Sequence, residues 1–365
     1  MKKFISLLLI LSLVFCFAAC GGSEDDNETI SPKQTENNMN NESSANDSNT
    51  TTTSSKTVYE SSDDVVNNVP NITADGKYKI SEYEDGITIL AYLGFEEKVE
   101  IPETINEKPV ITIGYESFYE NTSLKEVLIP KTVIRIESIA FANCENLESV
   151  VIPESVTHID DGAFLNCRSL TSIEIPNSVT HIGISAFENC KNLASVSIGN
   201  SIIHIDRTAF KGTELSEIAY ENNEEAFYVD GCLLYSYSNI SESYRIKEGT
   251  KCIADGAFKG CNGVTEVIIP DSVVSIGNEA FDGCIKIKSL IIPDSVKHIG
   301  YNAFRSCLSL VEITMGNGIE DIGQDIFGEA PSYTTVYIEK NSYMDKNLEK
   351  FQHDNLTIKY YQCLI

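Results

Sequence analysis

One interval constrains this chain more than any other feature. Phe118, Phe141, Phe164, Phe187 and Phe210 recur every 23 residues, and Phe258, Phe281, Phe304 and Phe327 take up the same step again. An aromatic residue returning at a fixed spacing of this size implies stacked coils, each one structural unit that buries its apolar side against the next. Between Phe210 and Phe258 the step is 48 residues, two periods plus two, so one middle coil is rebuilt and the register survives.

Each coil reads approximately L-x-x-[IV]-x-[IV]-P-x-x-V-x-x-I-x-x-x-A-F-x-x-C. In the coil that ends at Phe187, Ile173 and Ile175 alternate as in a strand with one inward face. Pro176 stops the strand, because it has no N–H to give to a neighbour. Val179 and Ile182 continue the interior, Ala186 and Phe187 fill the centre, and Leu193 leads into the next strand. A single thin coil cannot recover the conformational entropy lost on ordering it, so stability has to come from stacking neighbours. The expected fold is therefore mostly β with short helical or turn segments, a solenoid of 23-residue coils.

The cysteines follow the same register. Cys144, Cys167 and Cys190, then Cys261, Cys284 and Cys307, form two columns one coil apart. Adjacent rungs lie ~4.8 Å apart, within disulfide range, but ladder side chains point in parallel and three per block cannot all pair. They are read as buried free thiols. In-line thiols do not offer the tetrahedral arrangement of a zinc site.

The N-terminus differs in composition. Lys2 and Lys3 precede an apolar run from Phe4 to Phe17, followed by Ala18-Ala19-Cys20-Gly21, the layout of an export signal. Small residues before a cysteine resemble the lipobox of bacterial lipoproteins, which implies cleavage after Ala19 and diacylglycerol on Cys20. Cleavage by an ordinary signal peptidase is the alternative. Residues 20–71 are rich in Ser, Thr, Asn and acidic side chains and poor in large apolar ones, and are read as a disordered tether. Fifty such residues would span roughly 35 to 42 Å. The formal charge of -27 argues against nucleic acid or an anionic lipid surface as a partner.

The recurring "IPxSVxxIGxxAFxxCxxL" resembles the BspA-like class of bacterial leucine-rich repeats. "FYVDGCLLYSYSNISESYRIKEGTKCIADGAF", Phe227 to Phe258, resembles the hairpin-bearing repeat of that family, with Asp230-Gly231 as its turn. At the N-terminal end, Lys77 to Gly94 reads as a capping hairpin turning at Asp85-Gly86. At the C-terminal end, Ser342 to His353 reads as an amphipathic helix and Leu356 to Tyr360 as a strand. Caps are needed because the terminal apolar faces of a stack would otherwise be wet. The expected organisation is a signal peptide at 1–19, the tether at 20–71, an N-terminal cap and first coil at 72–117 and a first block at 118–212. The degenerate repeat then occupies 213–257, a second block 258–338 and a C-terminal cap 339–365. The resemblance implies a surface-exposed role in binding or adhesion.

Two sets of residues are candidates for function. His158, His181, His204 and His298 each stand six residues before a phenylalanine, in a column otherwise holding Thr112, Arg135, Cys252, Ser275 and Asp321. His158, His181 and His204 are a weak candidate for a metal site. A column that tolerates Arg and Asp reads more simply as a permissive, solvent-facing position. Outward strand positions read Leu128, Val151, Glu174, Ser197, Ile268, Ile291 and Thr314, several of them apolar where water is expected. Bordered by Glu126, Glu148, Glu266 and Glu312, they are the candidate binding surface, although Val and Ile also suit any strand. No H-E-x-x-H, G-x-S-x-G or phosphate-cradling glycine loop occurs, so neither an enzyme nor a cofactor is expected. The expectation is a lipid-anchored, surface-exposed binding module or adhesin whose partner is an extracellular protein or glycan. The alternative is an envelope spacer with no discrete ligand. The pairing of Cys232 and Cys363 is left open.

Overall fold

A computed structural model describes residues 71–351 and 356–361. The apolar leader, Cys20, the polar tract to residue 70, His353 and Cys363 lie outside the described residues.

Within each block most coils are bonded to their neighbours along three lines. The first is a parallel ladder formed by the alternating apolar strand, for example Ser172–Ile175 against Ser195–Ile198 and Ser289–Ile292 against Glu312–Met315, each residue facing its equivalent one period on. Pro130, Pro153, Pro176, Pro270 and Pro293 end these strands, and each carbonyl accepts the N–H of the valine three residues later at 3.0–3.2 Å, which turns the chain. The second ladder is short and also parallel: Arg135, His158, His181 and His204 pair in sequence, as do Cys252, Ser275, His298 and Asp321. On the third side the N–H groups of Phe118, Phe141, Phe164 and Phe187 donate to the alanine carbonyls of the next coil at 2.7–2.8 Å. Backbone groups that a thin coil would leave unpaired are thus satisfied by the coils above and below.

All nine phenylalanines of the 23-residue column are buried. Their rings stack along the interior, with Tyr78 and Tyr92 extending the line at one end and Phe351 at the other. The turns that carry the phenylalanines use left-handed backbone two residues after the ring and, except at Phe210, two residues before it. Two residues after it stand Asn143, Asn166 and Asn189 at φ of 58° to 61°, and in the second block Gly260 and Gly283 at 73°. Asn and Gly tolerate that region better than other residues. Two residues before it the column includes Gly162 at 61° but also the β-branched Ile139 at 51°.

The caps form as expected, with additions. Tyr78–Glu82 and Ile87–Tyr92 make the antiparallel N-terminal hairpin, closed by the Tyr83 N–H on the Gly86 carbonyl at 2.8 Å. A second small hairpin, Thr104–Ile105 with Lys108–Ile113, turns through Asn106 and Glu107, both at positive φ. At the other end the helix is shorter than expected, Tyr343–Lys346, with the Ser342 hydroxyl accepting from the Asp345 N–H. It breaks at Asn347 into a 3-10 turn, Leu348–Lys350, and the last strand is Thr357–Tyr361.

The rebuilt coil holds a helix that the repeat pattern did not reveal, Glu214–Glu221, capped by the Thr213 side chain. The hairpin follows, Ala226–Val229 with Cys232–Ser236, turning at Asp230-Gly231. Its second strand pairs in parallel with Cys252–Ile253, so it stands in the short-ladder position of a coil.

Candidate ligand-binding face

The outward side chains of the first ladder form columns. In the first block Glu100 faces Leu128 and Leu128 faces Val151, and Glu174 faces Ser197. In the second, Arg245 faces Ile268, and Ile291, Thr314, Tyr337 and Lys359 follow one another. Val151 is 55% exposed and Ile291 70%, while Glu174 is exposed and Leu128 and Ile268 are half-buried. The five candidate positions therefore do not form one uniform face. A fixed pleat sets which way each points, and only Val151 and Ile291 combine an apolar side chain with wide exposure.

Apolar surface also appears where strand alternation gives no reason to look. Ile285 and Leu308 occupy equivalent places in neighbouring coils, four residues after their phenylalanines, and Val311 stands three residues further along; all three are exposed. The first block has Glu145, Arg168 and Lys191 at the same place, with Arg168 paired to Glu145 at 3.4 Å. These positions lie in the turn that enters the strand. The only sequence signal for them is the charged-to-apolar change between blocks at a fixed coil position.

The histidine column is half-buried rather than solvent-facing. His158 and His181 stack at 4.5 Å between ring centroids and 8° between planes, and His181 and His204 lie 5.1 Å apart at 40°. The preceding threonines hold the first two rings: Thr157 and Thr180 each place Oγ1 2.8 Å from the following Nδ1. His204 Nδ1 lies 3.4 Å from Asp255 and 3.3 Å from the Asn278 amide. Burial lowers the His181 pKa to about 4, reinforced by His204 and His158, and burial beside Arg135 lowers that of His158. These are the shifts expected of desolvated neighbours that cannot all carry charge. Among the described residues no group of three or more His, Cys, Asp or Glu side chains is placed to hold a metal ion.

The thiols are free at Cys144, Cys167, Cys190, Cys261, Cys284 and Cys307. Five of them donate to the carbonyl of the phenylalanine one coil back, Cys144 to Phe118 at 3.1 Å and Cys307 to Phe281 at 3.3 Å being the two ends of the range. The thiol thus satisfies a carbonyl inside the turn. Burial pushes Cys144 and Cys307 up to about 12, far from the thiolate that nucleophilic or metal chemistry needs. Cys261 is the exception: the coil before it is the rebuilt one, and its sulfur lies 2.8 Å from the Ser236 hydroxyl instead. Cys232 and Cys252 form a disulfide across adjacent rungs, with Cα atoms 4.8 Å apart. Sequence spacing hid this pair because the hairpin restores register only after its insertion.

No helix among the described residues is long and apolar enough to cross a membrane. No curated protein matches the chain. Three solved structures illustrate its likeness to others. A leucine rich cell surface protein from Faecalibacterium prausnitzii is 23% identical, covers 82% of this chain and 97% of its own, and gives a TM-score of 0.36. A leucine-rich repeat protein from Bacteroides ovatus is 21% identical, over 78% and 98% of the two chains, with a TM-score of 0.32. The pneumococcal vaccine antigen PcpA is 18% identical, over 80% and 99%, with a TM-score of 0.34. At these identities and TM-scores they bring no functional argument to this chain. Residues 111–232 and 231–357 match the BspA type leucine rich repeat region, in six copies. With its phenylalanine spine and parallel ladders in register over the same residues, the chain belongs to the BspA-type leucine rich repeat family.

Proposed function

We propose that this protein is a lipid-anchored, surface-exposed binding module that holds an extracellular protein or glycan ligand on the outer face of its second block. The observation that carries the reading is the group of exposed apolar side chains there, Ile285, Ile291, Leu308 and Val311. A solenoid gains nothing in its own core from such residues, and exposed apolar groups recurring in neighbouring coils are the kind of surface that marks an interaction site. Inward residues supply stability and leave the outward columns free to specify a partner. The anchor rests on Ala18-Ala19-Cys20, with Cys20 carrying the lipid and the following polar tract setting the reach.

The test is attachment of the purified chain to host matrix proteins, mucin and cell-wall glycans. Binding to one of them, lost in an Ile268→Ser/Ile291→Ser variant whose melting temperature stays near that of the parent, is the expected outcome. Silence across the panel would favour an envelope spacer. Mass spectrometry of the protein from membranes should find diacylglycerol on Cys20, and a Cys20→Ala variant should be released into the medium.

A further inference from the structure

We propose that the seam between the two blocks carries a second, chemically different site: an open cleft for a saccharide. It goes beyond the apolar face, since its walls belong to the rebuilt coil. The helix Glu214–Glu221 ends at Asn222, and Asn223 turns left-handed at φ 56°. The strand Ser243–Arg245 follows within the same rebuilt segment and pairs with Glu266–Ile268. Between them lies a cleft of about 340 Å³, with Asn222 to Glu225 on one wall and Tyr244, Arg245 and Lys247 on the other.

The polar groups of this cleft are held in place by residues behind them. Asn239 donates its amide to Asn223 Oδ1 at 3.2 Å. Glu225 accepts the Ser241 N–H at 3.0 Å and the Ser241 hydroxyl as well. Lys247 pairs with Glu224 at 3.2 Å and lies 4.7 Å from the centroid of the Tyr228 ring. The Tyr228 and Tyr244 hydroxyls are 2.9 Å apart. The Arg245 side chain, by contrast, makes no ion pair or hydrogen bond among the described residues.

This set selects a ligand class. The cleft wall is mostly polar, and it sets the carboxylates of Glu224 and Glu225 beside the cations of Arg245 and Lys247, a mixture that suits a neutral polyhydroxyl ligand better than an apolar molecule or a bare anion. A sugar hydroxyl donates one hydrogen bond and accepts others, so vicinal hydroxyls can give to a fixed carboxylate while taking from the Asn amides and the Arg245 guanidinium. Carboxylates and amides already oriented by their neighbours lose little freedom on binding, which is where a shallow site gains affinity. The volume falls within the range of small-molecule sites.

The experiment is saturation-transfer NMR and titration of the purified full chain with mono- to tetrasaccharides of hexose, N-acetylhexosamine and hexuronate composition. At least one should bind with a dissociation constant on the order of millimolar. Arg245→Ala, which removes an exposed side chain, and Glu225→Gln should each weaken it about tenfold, or ~1.4 kcal/mol. Ile291→Ser should leave it unchanged. No saturation transfer from any sugar overturns the proposal, and so does binding that survives both Arg245→Ala and Glu225→Gln. Sugar binding abolished by Ile291→Ser alone would place the glycan on the apolar face and equally remove the cleft.

Discussion

In the block from Phe118 to Phe210, successive rings stand 4.8–5.2 Å apart at 2° to 21°. From Phe258 to Phe327 they stand 5.0–5.7 Å apart at 6° to 23°. The interiors are close variants of one packing, and the thiol-to-carbonyl bonds recur in both. The surfaces diverge. Glu145, Arg168 and Lys191 give way to Asn262, Ile285 and Leu308. Three neighbouring imidazoles in one short ladder give way to Cys252, Ser275, His298 and Asp321 in the other. Even the shared histidine differs: His298 follows Lys297 rather than a threonine, and its buried Nδ1 has no partner among the described residues. Inward side chains are dictated by a coil above and a coil below, so two blocks of one chain keep them. Outward ones answer to water or a ligand, and there the blocks can specialise.

The largest expected effect tests the shared interior. Phe187→Ala removes a ring stacked on both sides and should cost about 3 to 5 kcal/mol. Phe304→Ala, where both neighbours sit 5.7 Å away, should cost less. Denaturant unfolding measures both, and a reversed order would break the ranking of the two cores.

Acid should separate the blocks next. An unfolded histidine titrates near 6.5, and folded His181 near 4. As pH falls below about 6.5 the unfolded chain takes the proton first, so the stability contributed by the neutral stack is lost between about 6.5 and 4. Arg135, Asp160, Asp206 and Asp255 are the charged groups around the column. Burial raises Asp160 and Asp206, and these act in the opposite sense, gaining stability as pH falls through their raised values. A His181→Gln variant isolates the imidazole part: its stability should fall less than the parent's between pH 6.5 and 4. Hydrogen exchange at pH 5 should show the loosening in coils 135–205 and not in 252–322. Equal loosening of both would refute the assignment to the stack.

The smallest effect concerns strain. Ile139 holds φ 51° in a column that elsewhere carries Glu116, Gly162, Ser185 and Asn302. Ile139→Asn should raise stability by about 0.5 to 1 kcal/mol, a rise in melting temperature that differential scanning calorimetry can resolve. A fall would mean that the half-buried isoleucine contributes more by packing than it loses by strain.

Much of the fold was legible because stacking repeats its demands. A phenylalanine in every regular coil, a proline at most strand ends and a cysteine to meet a turn carbonyl print a period that no local propensity could mimic. Features made once were harder to see. The helix Glu214–Glu221 has a Thr213 cap and acidic residues in its first turn, yet it stands where a coil was expected. The Cys232–Cys252 bond depends on a register that only the finished insertion restores. The candidate surface was half legible: strand alternation pointed to Val151 and Ile291, but also to half-buried Leu128 and Ile268. It passed over Ile285, Leu308 and Val311, because they sit in turns where alternation does not apply.

The contrast between blocks can be tested by exchanging their surfaces. Ile285→Arg/Leu308→Lys gives the second block the charges of the first, and Arg168→Ile/Lys191→Leu does the reverse, with every inward residue untouched. Attachment to the best member of the ligand panel, measured for both variants at matched melting temperature, is the most direct measurement. The expected result is attachment lost in the first variant and kept or gained in the second. Attachment unchanged by charging the second block would contradict the claim that its outer face holds the ligand.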